Sequence, residues 1–450
     1  MSVNADEFIR DNNLKLELVA EGLNSPISMS FLGPNDLLIL EKEGKVQRIT
    51  DKKASPYPIL DVTSIVNKEG ERGLLGIAIS EGNGSGGDKD NIYKKDFNVY
   101  LLYTENIINN EVVNNYCQPE KCKTNDLVVN SLYKYKFKDD KLVNPELLLR
   151  TPVDRNSSLF HIGGVITVGP DNNVYLTAGD GNICTNLEEC EILLEDGPIR
   201  TQSANIGNGI RPSGSGGILY FNVNEKRTNY DSILGYEYPL NLYYAYGIRN
   251  SFGIDFDPVT GYLWDTENGP AFGDEINFVK PGFNSGWAKK QGVWSIINSS
   301  QLAVDPPLGK ERGYDFSINP QTENEAEGFV DFNGKGEYSD PEFTWNHPVG
   351  VTSIEFFNSD KLGKEYENDL FIGTFNDGLI YNFDLNKDRN KLVLKGELED
   401  KVADTNEEIQ DVIFGENMDS ITDLETGPDG YLYVLSIGEG KVWRIVPSDT

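Results

Sequence analysis

The chain has 450 residues, 38% of them hydrophobic and 11% aromatic, with 45 glycines and 21 prolines; this excludes a disordered or fibrous chain and suits many short strands joined by tight turns, which can close into one unit at this length. Seventy-two acidic against 40 basic residues leave a formal charge of −32, which argues against nucleic acid and anionic lipid surfaces as partners. No apolar run reaches the roughly 18 residues that a membrane-spanning helix needs, and the start, MSVNADEF, lacks the basic and apolar stretches of a secretory leader.

In chain order, the sequence reads as a repeat of turn, alternating strand, turn and strand. The unit occurs as GPNDLLIL from Gly33, GPDNNVYLTAGDG from Gly169, DPVTGYLWDTENG from Asp257, ENDLFIGTFNDG from Glu367 and GPDGYLYVLSIGEG from Gly427. Each opens on Pro, Asp, Asn or Gly at turn positions and continues with apolar residues at every second place, half a propeller blade. The first and last units are the most alike: GPNDLLILEKEGKVQRI ends at Ile49 and GPDGYLYVLSIGEGKVWRI at Ile445. Matching ends predict a single all-β domain over residues 1–450, a six-bladed β-propeller with four antiparallel strands per blade. Its N- and C-terminal blades would be neighbours, leaving no open sheet edge. The polar stretches 81–97, 105–128, 183–215 and 295–340 are expected to be loops on one rim, where binding residues concentrate.

Four cysteines fall as two close pairs, Cys117/Cys122 in CQPEKC and Cys184/Cys190 in CTNLEEC. Their spacing is longer than the CxxC of zinc sites, so two short-loop disulfides are expected, and with them an oxidising compartment: periplasm, cell surface or exterior. Sequons at Asn156 and Asn298 point the same way. There is no GxSxG elbow, and PSGSGG near Gly214 lacks the Lys-Ser/Thr of a phosphate loop.

Five further blocks are ERGLLGIAI from Glu71, HIGGVITVGPDNNVYLTAGDG from His161, YAYGIRNSFGIDFDP from Tyr244, TENGPAFGDEINFVKPGFNSGW from Thr266 and DLETGPDGYLYVL from Asp423. In this order they resemble the glucose/sorbosone dehydrogenase family of soluble propellers, whose best-known members oxidise sugars with pyrroloquinoline quinone (PQQ) and calcium. The resemblance implies that His161, one of two histidines in the chain, is the catalytic base. Oxidising an alcohol releases a proton and a hydride, and an imidazole accepts a proton near neutrality. Arg249 joins it at the catalytic centre and, with Asn250, contacts the cofactor. Glu71, Asp180, Asn268, Asn376 and Thr422 fall at further cofactor positions, and Trp345 and His347 are expected over the cofactor plane. The carbonyls of Gly269 and Pro270 would hold calcium beside the quinone, with Glu275 and Ser285 completing the metal positions and Glu275 serving a neighbouring structural ion.

The resemblance departs in places that matter. Asn376, Ser420 and Thr422 stand where characterised members hold the quinone's carboxylates with a lysine and arginines; each lost charge-assisted bond removes roughly 1.5–3 kcal/mol. Arg200, Arg211 or His347 are the residues that could compensate. Glu71 replaces a glutamine, and Phe160 replaces an aspartate beside the base, which would leave His161 without a carboxylate to fix its tautomer. The expected function is a PQQ- and calcium-dependent dehydrogenase of aldose sugars or related alcohols, served by a separate electron acceptor. Two alternatives stand beside it. One is a non-catalytic propeller of the hedgehog-interacting-protein-like type that has lost PQQ. The other is a calcium-dependent lactonase, against which the sequence shows no channel set of acidic ligands.

Overall fold

Strands with apolar residues at every second position bury a face only when sheets stack. The computed structural model describes residues 7–82, 96–108, 126–153, 159–181, 205, 214–223, 233–270, 272–287, 290–293 and 329–448. Within them the strands hydrogen-bond into six sheets, and the fold is an all-β propeller. The first main strand of each sheet lies innermost: Pro26–Gly33, Leu74–Glu81, Gly163–Val168, Ser251–Phe256, Val351–Phe356 and Ile421–Thr426. Each packs on the next and the last packs on the first, so the inner strands form a ring around a channel.

The ring is closed by the chain ends. Leu14–Ala20 pairs antiparallel with Lys441–Pro447, Leu16 opposite Ile445, and becomes the outer edge of the sheet holding the C-terminal strands. The two most similar sequence units therefore sit in adjacent sheets, and an edge that would otherwise be open is paired within the chain. Neighbouring sheets interleave large side chains. Trp264, Phe343, Trp345, Phe356, Tyr381 and Phe383 form one such layer, with ring centroids 4.8 Å apart for Phe343 and Trp345 and 5.3 Å for Trp345 and Tyr381.

The blades are not uniformly four-stranded and antiparallel. Two sheets have four strands, three have five and one has six. The additions are short and include parallel pairs, Phe283–Asn284 beside Tyr243–Tyr246 and Val402–Ala403 beside Phe343–Trp345, where returning segments satisfy free edge groups. The stretch 105–128, expected as a loop, is partly strand: Phe97–Ile108 and Asp126–Lys138 pair into it. Its polarity misleads because Glu105 is buried, bound to Arg150 at 2.7 Å and to the Ser131 hydroxyl at 2.5 Å. All four cysteines, both sequon asparagines, Arg200 and Arg211 lie outside the described residues.

Carboxyl groups link the inner strands across three successive sheet junctions. Asp255 accepts the Phe356 N–H at 2.9 Å, Glu355 accepts the Thr426 N–H at 2.9 Å, and Asp423 accepts the Met29 N–H at 2.7 Å and the Ser28 hydroxyl at 3.0 Å. Burial pushes Asp255 and Asp423 up to about 7, and burial together with the neighbouring carboxyls holds Glu355 and Glu425 well above the usual range. The folded chain therefore keeps protons that the unfolded chain releases, and this contribution to stability falls as pH climbs from about 4 towards 7 and beyond. Glu425→Gln removes one such group, so its thermal midpoint should gain on the wild type between about pH 4.5 and about pH 8, by on the order of 2 °C. Melts across that range that show no growing gain would contradict the assignment.

Candidate active site

Loops at one end of the channel place the site residues. His161 lies two positions before the inner strand Gly163–Val168 with a left-handed backbone, φ 55°, and its N–H is taken by Glu71 Oε2 at 2.7 Å. Gly163 must lack a side chain: at φ 68° a Cβ would stand 2.7 Å from the Thr177 carbonyl oxygen. Arg249 and Asn250 precede the inner strand Ser251–Phe256, and Asn250 Oδ1 accepts the Gly163 N–H at 3.1 Å, joining the two sheets. A cavity of about 910 Å³ runs from these loops into the channel, lined among others by Glu71, His161, Arg249, Asn250, Asn268 and Gly269. Pro270, His347, Asn376 and Thr422 also line it.

The centre is a chain of hydrogen bonds. Asp180 Oδ1 lies 2.7 Å from His161 Nδ1, and His161 Nε2 lies 2.7 Å from Arg249 Nη2. A guanidinium can only donate, so Nε2 is the acceptor and Nδ1 carries the hydrogen that Asp180 receives. Trp287 Nε1 donates to the other Asp180 oxygen at 2.6 Å, and the Arg249 guanidinium carbon stands 5.5 Å from the Trp287 ring centroid. Arg249 Nη1 donates to the carbonyls of Asn268 at 2.7 Å and Gly269 at 2.9 Å. The carboxylate that Phe160 does not supply thus comes from Asp180, while Phe160 lies 46% exposed at the cavity. The expectation of a partnerless His161 is corrected accordingly.

Other residues fall elsewhere than expected. Trp345 is 2% exposed, packed on Phe343, Tyr381 and Phe383, and does not line the cavity. It faces the blade interior because its strand, Phe343–Trp345, is not an inner strand. Ser420 also lies off the cavity. Asn376 donates to the Pro348 carbonyl at 3.2 Å and Thr422 to the Pro26 carbonyl at 3.2 Å, so neither brings charge. Two lining residues are not among the expected site residues: Lys42, in the EKEGKV turn, and Asp274, inside the TENGPAFGDEIN block, whose carboxyl accepts the N–H groups of Gly269 and Gly350 at 2.9 and 2.7 Å and so fixes the Gly269 loop. Burial pushes Asp274 up to about 6.

Glu275 and Ser285 lie behind the cavity wall. The Ser285 hydroxyl donates to Glu267 at 2.6 Å and reaches Glu275 at 3.3 Å, while Glu267 also accepts the Arg249 N–H at 2.7 Å. Burial pushes Glu275 up to about 8 and Asp265 up to about 7, and holds Glu267 well above the usual range. Asn277 and Ser251 lie near enough to favour ionised Asp265, yet neither of its oxygens has a hydrogen-bond partner. In the channel, Asp255, Glu355, Asp423 and Glu425 line the same cavity as His161. This corrects the expectation of a channel without acids: they come from three strands far apart in sequence. Among the described residues, however, no three acidic, histidine or cysteine side chains stand together in a way that could hold a metal ion.

A family model described as Glucose / Sorbosone dehydrogenase matches residues 23–294 and 309–444. The chain is 31% identical to an aldose sugar dehydrogenase of Escherichia coli over 205 residues, 45% of this chain and 43% of that protein. It is 25% identical to quinoprotein glucose dehydrogenase B of Acinetobacter calcoaceticus over 291 residues, 63% of this chain and 54% of that protein. In both cases the match spans about half the relative's length. The crystal structure of the apo soluble aldose sugar dehydrogenase of Escherichia coli is similar in fold, with a TM-score of 0.64 at 20% identity, covering 97% of this chain and all of that one.

Because Trp345 is a core residue, Trp345→Ala should lower unfolding stability by about 3–5 kcal/mol in denaturant titrations. A loss below about 1 kcal/mol would show that the ring is not packed as described.

Proposed function

Because the chain belongs to the glucose/sorbosone dehydrogenase family, we propose that it is a calcium- and PQQ-dependent oxidoreductase of aldose sugars or related alcohols, built on a six-bladed propeller. The observation that carries this reading is the Asp180–His161–Arg249 chain at the wall of an open cavity. Calcium would be held by the carbonyls of Gly269 and Pro270. The donor set fits a cation, since the Gly269 and Asn268 carbonyls already receive the guanidinium of Arg249. A neighbouring structural cation would be served by Glu275 and Ser285, whose side chains meet at 3.3 Å. When bound, the quinone supplies the two-electron acceptor for the substrate hydride, and calcium polarises its carbonyl.

The chain's own residues handle the proton. Asp180 holds the Nδ1 hydrogen, so the His161 lone pair at Nε2 points to Arg249 and the cavity. Taking the sugar hydroxyl proton at Nε2 requires Arg249 to turn its Nη2 hydrogen away, and the imidazolium that forms is balanced by Asp180. Asn250 and Asn268 hold the surrounding backbone, through Gly163 N–H and the Val351 carbonyl, and Glu71 fixes the His161 turn. A separate electron acceptor is a further partner that this proposal calls for. Disulfides Cys117–Cys122 and Cys184–Cys190 and an extracellular or periplasmic location accompany the proposal; no helix among the described residues is long and apolar enough to cross a membrane.

A second reading, a non-catalytic binding propeller, draws on the cavity's charge. Six carboxyl residues, Glu71, Asp255, Asp274, Glu355, Asp423 and Glu425, face two cations, Lys42 and Arg249, among the described lining residues. Such a wall disfavours a ligand with several carboxylates.

Titration of calcium-loaded protein with PQQ, followed by dye reduction with an aldose panel, separates the two. Saturable binding at micromolar PQQ with turnover is expected, and absence of binding would sink the dehydrogenase reading. His161→Ala should abolish turnover while leaving PQQ affinity within about threefold, and Asp180→Asn should lower kcat by roughly 10²–10⁴ by removing the acceptor for the Nδ1 hydrogen. Undiminished turnover in either variant would show that the base lies elsewhere.

A further inference from the structure

Lys42 occupies the turn between the strands Asp36–Glu41 and Lys45–Thr50 and lines the cavity that holds His161 and Arg249. Its backbone is pinned on both sides, the N–H donating to the Ser25 carbonyl at 3.0 Å and the carbonyl accepting the Leu74 N–H at 2.9 Å. The side-chain stem runs over Gly73, where any Cβ would stand 2.7 Å from Lys42 Cγ. The ammonium reaches the Gly70 carbonyl, its one hydrogen-bond acceptor among the described residues. An ammonium carries three N–H donors, so two are left for other partners. The next residue, Glu71, holds the His161 backbone N–H, which places Lys42 on the same wall as the base.

We propose that Lys42 binds a carboxylate carried by a ligand of this cavity, either the quinone cofactor or an acidic sugar. The inference builds on the proposed function and supplies the cation that Asn376, Ser420 and Thr422 do not. Of the two cationic side chains among the described lining residues, Arg249 is committed to His161 and to the carbonyls of Asn268 and Gly269. Lys42 is the other, and the Gly70 carbonyl that accepts its hydrogen bond is neutral. Removal from water destabilises the ammonium, with Glu71 opposing the effect. A charge-assisted bond to a carboxylate would offset that cost and fix which end of the ligand meets His161.

The test compares wild type with Lys42→Gln, which keeps a donor for the Gly70 carbonyl but loses the charge, and Lys42→Arg, which keeps the charge. PQQ affinity is read from tryptophan quenching in calcium-loaded protein at low and high salt. Affinity for glucuronate against glucose is read by calorimetry with and without PQQ. A fall in PQQ affinity of about tenfold or more in K42Q, recovered in K42R, supports the proposal and assigns the carboxylate to the cofactor. The same fall for glucuronate alone, with glucose unchanged, supports it and assigns the carboxylate to the substrate. Unchanged affinity for both acids in K42Q overturns it. If K42Q does not fold, wild-type affinity for the acids that is indifferent to salt overturns it, and a steep fall with salt supports it. Wild type that binds no PQQ overturns the quinone reading alone and leaves the glucuronate arm to decide Lys42; wild type that binds neither acid overturns both.

Discussion

A neutral imidazole has one N–H and one lone pair, and in His161 both are already assigned. Asp180 receives the hydrogen and Arg249 donates to the lone pair, each at 2.7 Å. The rest of the site is arranged to keep this so. Asp180 and His161 belong to one sheet and Arg249 to the next, and the junction between them is tied by the Asp180 N–H to the Arg249 carbonyl at 2.8 Å and by Gly163 to Asn250. A small rotation between these sheets would part the chain of bonds, so the chemistry depends on the ring being closed. Pairing of Leu14–Ala20 with the C-terminal strand closes it.

The same closure concentrates acid in the channel. Carboxyls of Asp255, Glu355 and Asp423 hold the neighbouring sheets' backbone N–H groups, which favours their ionised forms, yet burial works against ionisation and dominates. Stability and ligand choice are thereby linked. Groups that join the sheets also line the ligand cavity, and as they ionise with rising pH they turn its field against an anionic ligand, which then needs a local cation where it docks. Lys42 sits at the mouth of this conflict, on the His161 wall.

The propeller was legible because its signals are local: turn residues and period-two alternation recur within each unit, and the two end units match in strand and turn. His161, Arg249 and the Gly269 loop were legible as motifs. Their partners were not equally so. Asp180 appeared as a cofactor position, whereas its role toward His161 emerges only when Val174–Ala178 pairs with Gly163–Val168 and brings the two together. Trp345 was misplaced because an aromatic on a strand reads alike whether it faces a ligand or the next sheet. The channel acids lie on strands far apart in the chain, and only the ring brings them together. Lys42 and Asp274 lie inside the repeat and motif segments, but a lysine in a turn and an aspartate at a strand edge read like solvated surface charges, and only the fold turns them towards the cavity.

The state of the His161 ring is the most direct check on this account. With two histidines in the chain, nitrogen-15 labelling of histidine and a long-range proton–nitrogen spectrum at neutral pH give two imidazole patterns, and His161→Ala identifies one. The structure predicts a neutral ring for His161, protonated at Nδ1 and bare at Nε2. A ring protonated at Nε2 instead, or at both nitrogens, would contradict the Asp180–His161–Arg249 arrangement and the base built on it.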